Sequence, residues 1–142
     1  MNEPKTISEL MTLVKKECEK GNINNAIIYL NKAIEIDPNY HFAYFNRARV
    51  KRELGDYQGA IDDYSKIIEI NPKHPYAYSN RARVKCKLGD YQGAIDDYTK
   101  AIKNDPNNHF AYQFRADVKR KLNDNEGADE DDRKAEKLKN IF

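Results

Sequence analysis

The sequence has 142 residues, of which 39% are hydrophobic and 34% are charged, and its formal net charge is +2. This near-neutral total gives no general argument for nucleic-acid binding, so any charged site must be local. No run of about 18 apolar residues occurs, and the N-terminal residues lack the apolar core of a secretory signal. We therefore expect a cytoplasmic protein with no membrane-spanning segment.

The chain begins with a short tail, residues 1–6, and a helix predicted from Ser8 to Lys20, where apolar residues recur at helical spacing. Gly21 accepts the left-handed conformation that ends a helix, and the side chain of Asn22 is expected to cap the next one. A second amphipathic helix follows and ends near Pro38, because proline cannot continue a helix. The two helices form one predicted hairpin.

The same plan then recurs at a fixed spacing. Residues 54–64 are identical to residues 88–98, and prolines stand at 38, 72 and 106. A period of about 34 residues is typical of helix–turn–helix repeats. Further helices are predicted over 41–54, 57–70, 75–88, 91–103, 109–122 and 125–140. We predict one domain over 7–142, with repeats at about 7–40, 41–74, 75–108 and 109–142.

Each later hairpin has a glycine early in its second helix, followed at once by an alanine. Glycine inside a helix costs roughly 1 kcal/mol relative to alanine. Its recurrence therefore suggests that two helices approach closely there. The predicted pairs are Gly59-Ala60, Gly93-Ala94 and Gly127-Ala128, facing Ala48, Ala82 and Ala116 of the first helix.

The pattern resembles the tetratricopeptide repeat family. The third repeat carries the family's recurring residues at Tyr78, Ala82, Gly89-Asp90-Tyr91, Ala94, Tyr98, Ala101 and Pro106. The resemblance covers nearly the whole chain and implies an all-α fold, a right-handed α-solenoid of about eight helices. The fourth repeat has Asp132 where the family has an aromatic residue. We expect its last helix to act as a cap, because a polar outer face keeps the end of a repeat array soluble.

An arginine stands in the first helix of repeats two, three and four where the family has leucine. The second helix of the same repeats carries adjacent acids, whereas repeat one has Leu13 and no acids at the matching positions. Because arginine and acid occur together, we predict a structural ion pair within each repeat rather than a catalytic carboxylate pair. The arginines are Arg47, Arg81 and Arg115, and the acids are Asp62-Asp63, Asp96-Asp97 and Glu130-Asp131.

In the family, the first helix of each repeat lines the concave face. Arginine and aromatic side chains are frequent binding anchors, and asparagine can hydrogen-bond an extended backbone. The alternative is that the arginines are solvated and the aromatic rings only pack between helices. The candidate peptide-binding residues are Phe42, Phe45, Asn46, Arg49, Arg52, Tyr76, Asn80, Arg83, Lys87, Phe110, Phe114 and Arg120. The carboxylate clamp of some co-chaperone members does not carry over, since only one of its positions matches in either register.

The leading functional hypothesis is a non-enzymatic scaffold or adaptor that binds a peptide or a partner's helix, with acidic ligands favoured. The first alternative is an RNA-binding repeat protein that uses the same arginines and aromatic rings, although nucleic acid is not the expected partner. The second is a module that self-assembles through its C-terminal helix. No cofactor or metal is expected, since the histidines lack ligand spacing. We expect free thiols and a monomer or weak homo-oligomer.

Overall fold

The computed structural model describes residues 6–141, and this part of the chain forms eight α-helices with no strand. They are α1 (Ile7–Glu19), α2 (Ile23–Ile36), α3 (His41–Glu53), α4 (Tyr57–Ile70), α5 (Ala77–Lys87), α6 (Tyr91–Asn104), α7 (His109–Lys121) and α8 (Asn125–Ile141). The all-α class and the succession of helical hairpins are therefore confirmed. The largest difference from the predicted bounds is at α5, which begins two residues late because Pro75 and Tyr76 form a turn.

The turn inside each hairpin uses a left-handed residue, as predicted. Gly21, Gly55 and Gly89 have φ between 77° and 80°, and Asn123 takes the same role with φ 64°. Asparagine is the residue that best replaces glycine at such a helix stop. The fourth hairpin therefore keeps the turn of the others despite its different sequence.

The start of the second helix differs between the first hairpin and the rest. Asp56 and Asp90 each accept a hydrogen bond at 3.0 Å from the amide of the glycine three residues later. A Cβ on Gly59 would lie 2.2 Å from Oδ2 of Asp56. The glycines thus make room for the capping carboxylate of their own helix, a role that was not predicted. The predicted close approach of a second helix at the glycines stays a prediction, although Ala82 and Ala94 share one buried cluster. Asn22 was expected to cap α2, but its amide donates to Glu17 instead.

The described chain divides into two compact units, one ending at Pro72 and the other beginning at Lys73. In the first unit α1 packs on α2, α2 on α3 and α3 on α4; in the second, α5 to α8 pack in the same order. The core of the first unit includes Leu10, Leu30 and Val50. The core of the second includes Tyr98 and Val118. The extent of a single domain over 7–142 stays a prediction.

The predicted ion pairs are present in all three repeats and use the second acid of each pair. In the first unit, Arg47 donates from Nε and Nη2 to the two oxygens of Asp63, at 3.0 and 2.7 Å. Lys51, one helical turn further on, places Nζ 3.3 Å from the same carboxylate, which is 2% exposed. The hydrogen bond to Asp63 raises the pKa of Arg47. The equivalent groups are Arg81–Asp97–Lys85 and Arg115–Asp131–Lys119.

Two of these arginines, Arg47 and Arg115, also join their repeat to the one before it. Nη1 of Arg47 donates to Asn31 on α2 at 2.7 Å, and Nη1 of Arg115 donates to Thr99 on α6 at 3.1 Å. One guanidinium thus connects three helices within each unit. The lysine and this third helix were not anticipated from the sequence.

The first and last helices carry charge where inner helices are apolar. Ala43 and Val50 of α3 are buried, whereas Glu9 and Lys16, one repeat earlier on α1, are exposed. On α8, Leu138 is buried and Ile141 is 70% exposed. Phe142 lies outside the described residues, so the predicted role of this end in self-association stays a prediction. The same holds for the capping role of α8.

Candidate functional site

The first unit has a recess of about 510 Å³ along α1 and α3. Its charged side chains are of both signs: Lys15 and Arg49 are cationic, and Glu19 and Glu53 are anionic. Of the predicted binding residues, Asn46 and Arg49 line it. The remaining lining residues are Met11, Val14, Cys18, Ile23 and Val50. The contribution of α1 was missed, although Lys15 lies one period before Arg49.

The second unit has a recess of about 470 Å³ along α5 and α7. It contains five of the predicted binding residues: Tyr76, Asn80, Arg83, Phe110 and Phe114. The rings are well exposed, Tyr76 by 61% and Phe110 by 56%, and Phe110 stacks on Phe114 with 6.5 Å between ring centroids. The structure therefore brings the aromatic rings and one arginine together on one surface.

A smaller recess of about 250 Å³ continues toward the C-terminal ends of α5 and α7. It shares Arg83 and Phe114 with the 470 Å³ recess of the same unit. We call it the cup. Cys86, Tyr98, Phe114 and Val118 supply its apolar lining. Its charged lining is Arg83, Lys87, Asp117 and Lys121. Lys87 was a predicted binding residue, whereas the buried Tyr98 was assigned only to packing.

Three predicted residues on α3 have other surroundings in the first unit. Phe42 lies against His41, with ring centroids 4.2 Å apart, and its ring is edge-on to Tyr40. Phe45 is edge-on to the buried Tyr64 at 5.8 Å. Arg52 is partly buried near the end of α3.

Arg120, a predicted binding residue, forms ion pairs in the second unit, and its binding role stays a prediction. Its guanidinium bonds Asp129 and Asp132 on α8 and approaches Asp117 on its own helix. The hydrogen bond to Asp132 is the main cause of its raised pKa. Asp132 stands at the position of Tyr98 in the previous repeat, so a charged pair replaces an aromatic contact at the last hairpin. Sequence spacing alone gave no sign of this pairing.

The two cysteines occupy equivalent positions in the two units, but the charged groups near them differ. Burial raises the pKa of Cys18, the charge of Glu53 raises it further and Arg49 lowers it. Burial also raises the pKa of Cys86, but here Lys121 lowers it. Glu53 and Lys121 are themselves equivalent, so the same place in the two units carries opposite charge. Burial raises the pKa of Tyr98 as well.

Among residues 6–141, no three His, Cys, Asp or Glu side chains are grouped closely enough to hold a metal ion. Within the same residues, no helix has the length and apolar character needed to cross a bilayer.

The fold and these surfaces define a class: helical-hairpin repeat modules whose first helices present exposed side chains for interaction. A tetratricopeptide repeat model matches residues 41–74 and 75–108, and a second model of that family matches residues 19–40. The chain belongs to the tetratricopeptide repeat family, which confirms the resemblance found in the sequence.

Solved structures of similar fold include MamA, with a TM-score of 0.90 and 25% identity over 98% of this chain and 81% of that one. A tetratricopeptide repeat protein from Parabacteroides merdae has a TM-score of 0.84 at 23% identity, covering 90% of this chain and 51% of that one, a likeness of fold alone. An uncharacterised protein of Methanocaldococcus jannaschii is 50% identical over 36 residues, which are 25% of this chain. The match spans 42% of that relative's length.

Proposed function

We propose that the chain is a non-enzymatic interaction module that binds a peptide segment or a partner's helix on the first helices of its repeats. The observation that carries this proposal is the α5/α7 recess, in which exposed Tyr76, Phe110 and Phe114 lie beside Arg83. Exposed rings bring large apolar area at low entropic cost, and arginine adds directional hydrogen bonds. Family membership supports a protein as the partner.

Two features favour an extended segment as the occupant of this surface. The recess is open and follows two neighbouring helices, and it continues into the cup through shared residues. The amide of Asn80 donates to the carbonyl of Tyr76 at 2.8 Å, which fixes its side chain along α5. A fixed amide with an oxygen acceptor suits a peptide backbone, whose N–H groups need partners.

The proposal is tested by selection from a displayed library of random twelve-residue peptides on the immobilised chain. The selected peptides are then measured by fluorescence anisotropy against wild type and Arg83→Glu/Phe114→Ala. We expect the double variant to bind at least about tenfold more weakly, since anchors of these types carry most of an interface's energy. The matched control is Arg133→Glu/Ile141→Ala on α8, where both side chains are exposed.

Unchanged affinity in Arg83→Glu/Phe114→Ala, or equal loss in the control, would place binding elsewhere. Sedimentation of the same preparations tests the expected monomer or weak homo-oligomer. A mass that rises with concentration and falls on removal of residues 138–142 would instead favour self-assembly through the C-terminal helix.

A further inference from the structure

The equivalent recesses of the two units differ in charge at the C-terminal ends of their helices. The first unit has Glu19 and Glu53 at the ends of α1 and α3, and the second has Lys87 and Lys121 at the ends of α5 and α7. Each of these four residues is the last residue of its helix and is exposed. Because the two units have the same succession of helices, the effect of this charge difference on binding can be measured without a change of fold.

Helix stability does not explain the glutamate pair. The C-terminal end of a helix carries partial negative charge, which favours lysine there and disfavours glutamate. Lys87 and Lys121 follow this preference, whereas Glu19 and Glu53 oppose it. Two acids at this unfavourable end of neighbouring helices point to an effect on which ligands the α1/α3 recess binds.

The surroundings of the lysine pair are apolar as well as cationic. The apolar lining of the cup is Cys86, Tyr98, Phe114 and Val118, and its charged lining has three cations, Arg83, Lys87 and Lys121, and one carboxylate, Asp117. The corresponding positions of the first unit are more mixed: Leu30 replaces Tyr98, Asn46 replaces Phe114, and two cations face two acids. Lys121 is close enough to Cys86 to lower its pKa, as Glu53 is close enough to Cys18 to raise it.

We propose that the cup selects a protein segment in which one apolar side chain is flanked by carboxylates, and that Glu19 and Glu53 exclude the same segment from the α1/α3 recess. The apolar side chain packs against the exposed ring of Phe114 and the neighbouring Cys86, and the carboxylates are held by Arg83, Lys87 and Lys121. Desolvation of the apolar contact strengthens the neighbouring charge pairs, because screening by water is reduced there. This proposal rests on the proposed function and adds the ligand class and the residues that set it.

The test uses the full chain and two charge-exchange variants, Lys87→Glu/Lys121→Glu and Glu19→Lys/Glu53→Lys. Each is used to select from the same peptide library, and selected peptides are located by amide chemical shifts. We expect wild type to enrich peptides with a Leu, Met or Phe between Asp or Glu, with shifts around the ends of α5 and α7. Their affinity should fall at least about tenfold in the lysine variant, and acid enrichment should disappear.

The glutamate variant is the matched control, because it changes two equivalent exposed positions in the other unit. It should keep the α5/α7 site and acquire a second set of shifts around the ends of α1 and α3 with the same peptides. Circular dichroism confirms folding, and Lys87→Gln/Lys121→Gln gives an intermediate affinity if charge is the cause.

Each remaining outcome decides against the proposal. Peptides without acid enrichment, or acidic peptides with shifts outside the cup, overturn the specificity while leaving peptide binding intact. Selection of no peptide by any variant overturns both this proposal and the proposed function. Binding of a ten-residue oligouridylate that is tighter than any selected peptide and is lost in the lysine variant would assign the cations to phosphate instead.

Discussion

The two helices of the first repeat carry apolar side chains at the position where the three later repeats have a buried ion pair. Between the helices of repeats two to four, a buried aspartate is held by an arginine and a lysine, as in Arg47–Asp63–Lys51. The matching positions of repeat one are Leu13 and Tyr29, with Glu17 in place of the lysine. The later repeats also cap their second helix with aspartate, and repeat one does not. One backbone plan thus accepts either an apolar or an ionic interior.

The largest expected effect comes from breaking one ionic interior. Arg47→Leu leaves Asp63 buried with only Lys51 and removes the bond to Asn31, so unfolding in urea should become easier by about 3 kcal/mol. Arg47→Leu/Asp63→Tyr imports the repeat-one pair and should recover most of that loss, to within about 1.5 kcal/mol of wild type. A double variant no more stable than the single one would mean that the two interiors are not interchangeable.

A pH series separates the ionic interior from the apolar one, because repeat one has no carboxylate at this position. Burial alone would raise the pKa of Asp131, but the hydrogen bonds from Arg115 and Lys119 outweigh it and the pKa is lowered. The unfolded chain therefore takes up the proton first, near its ordinary pKa of about 4. The stabilisation is complete above that pH and is lost as pH falls through the lower folded value.

Asp131→Asn should accordingly be less stable than wild type at pH 7, with the gap narrowing in acid. The measurement is a set of urea melts of both proteins from neutral pH downward. Parallel profiles would show that this carboxylate does not contribute to the acid sensitivity of the fold.

The smallest of these effects concerns the caps. Gly59→Ala should destabilise by about 1 kcal/mol, because the new Cβ displaces Asp56 from its cap, although helix propensity alone predicts a gain of similar size. Asn25→Ala, at the same position of the uncapped α2, should be neutral or stabilising. In an Asp56→Ala background, Gly59→Ala should turn stabilising, and thermal melts of the four proteins test this reversal of sign.

The helical hairpins and the ion pairs could be predicted because the four repeats can be compared with one another. The joint presence of Arg47 and Asp63, set against Leu13 in repeat one, indicated a contact between residues on different helices. The same comparison could have revealed Lys51, which recurs with the arginine and is replaced by Glu17 where the arginine is absent. The contact between Gly59 and Asp56 was not predicted, because a cap depends on the rotamer of Asp56, which spacing does not specify.

The sequence predicted which positions line the candidate site, but not all the contacts that their side chains make. The helical period predicts that Tyr76, Arg83 and Phe114 share one surface, although α5 begins only after Tyr76, which lies in the preceding turn. Arg120 fits the same period, but its charge is taken up by Asp129 and Asp132 on α8. Asp129 and Asp132 stand where repeat three has Ile95 and Tyr98, so comparison with the earlier repeats does not reveal this pairing.

The three equivalent ion pairs also affect the folding kinetics, because they allow non-native pairing. Arg47 would match the carboxylate of Asp97 as well as that of Asp63, since residues 54–64 and 88–98 are identical. The native partner is 16 residues away and the wrong one about 50, so loop closure favours the native pair by about 1 kcal/mol. A bias of roughly fivefold is modest. Correct registration then depends on local hairpins closing before distant segments meet, and slow refolding phases should grow with each additional identical repeat.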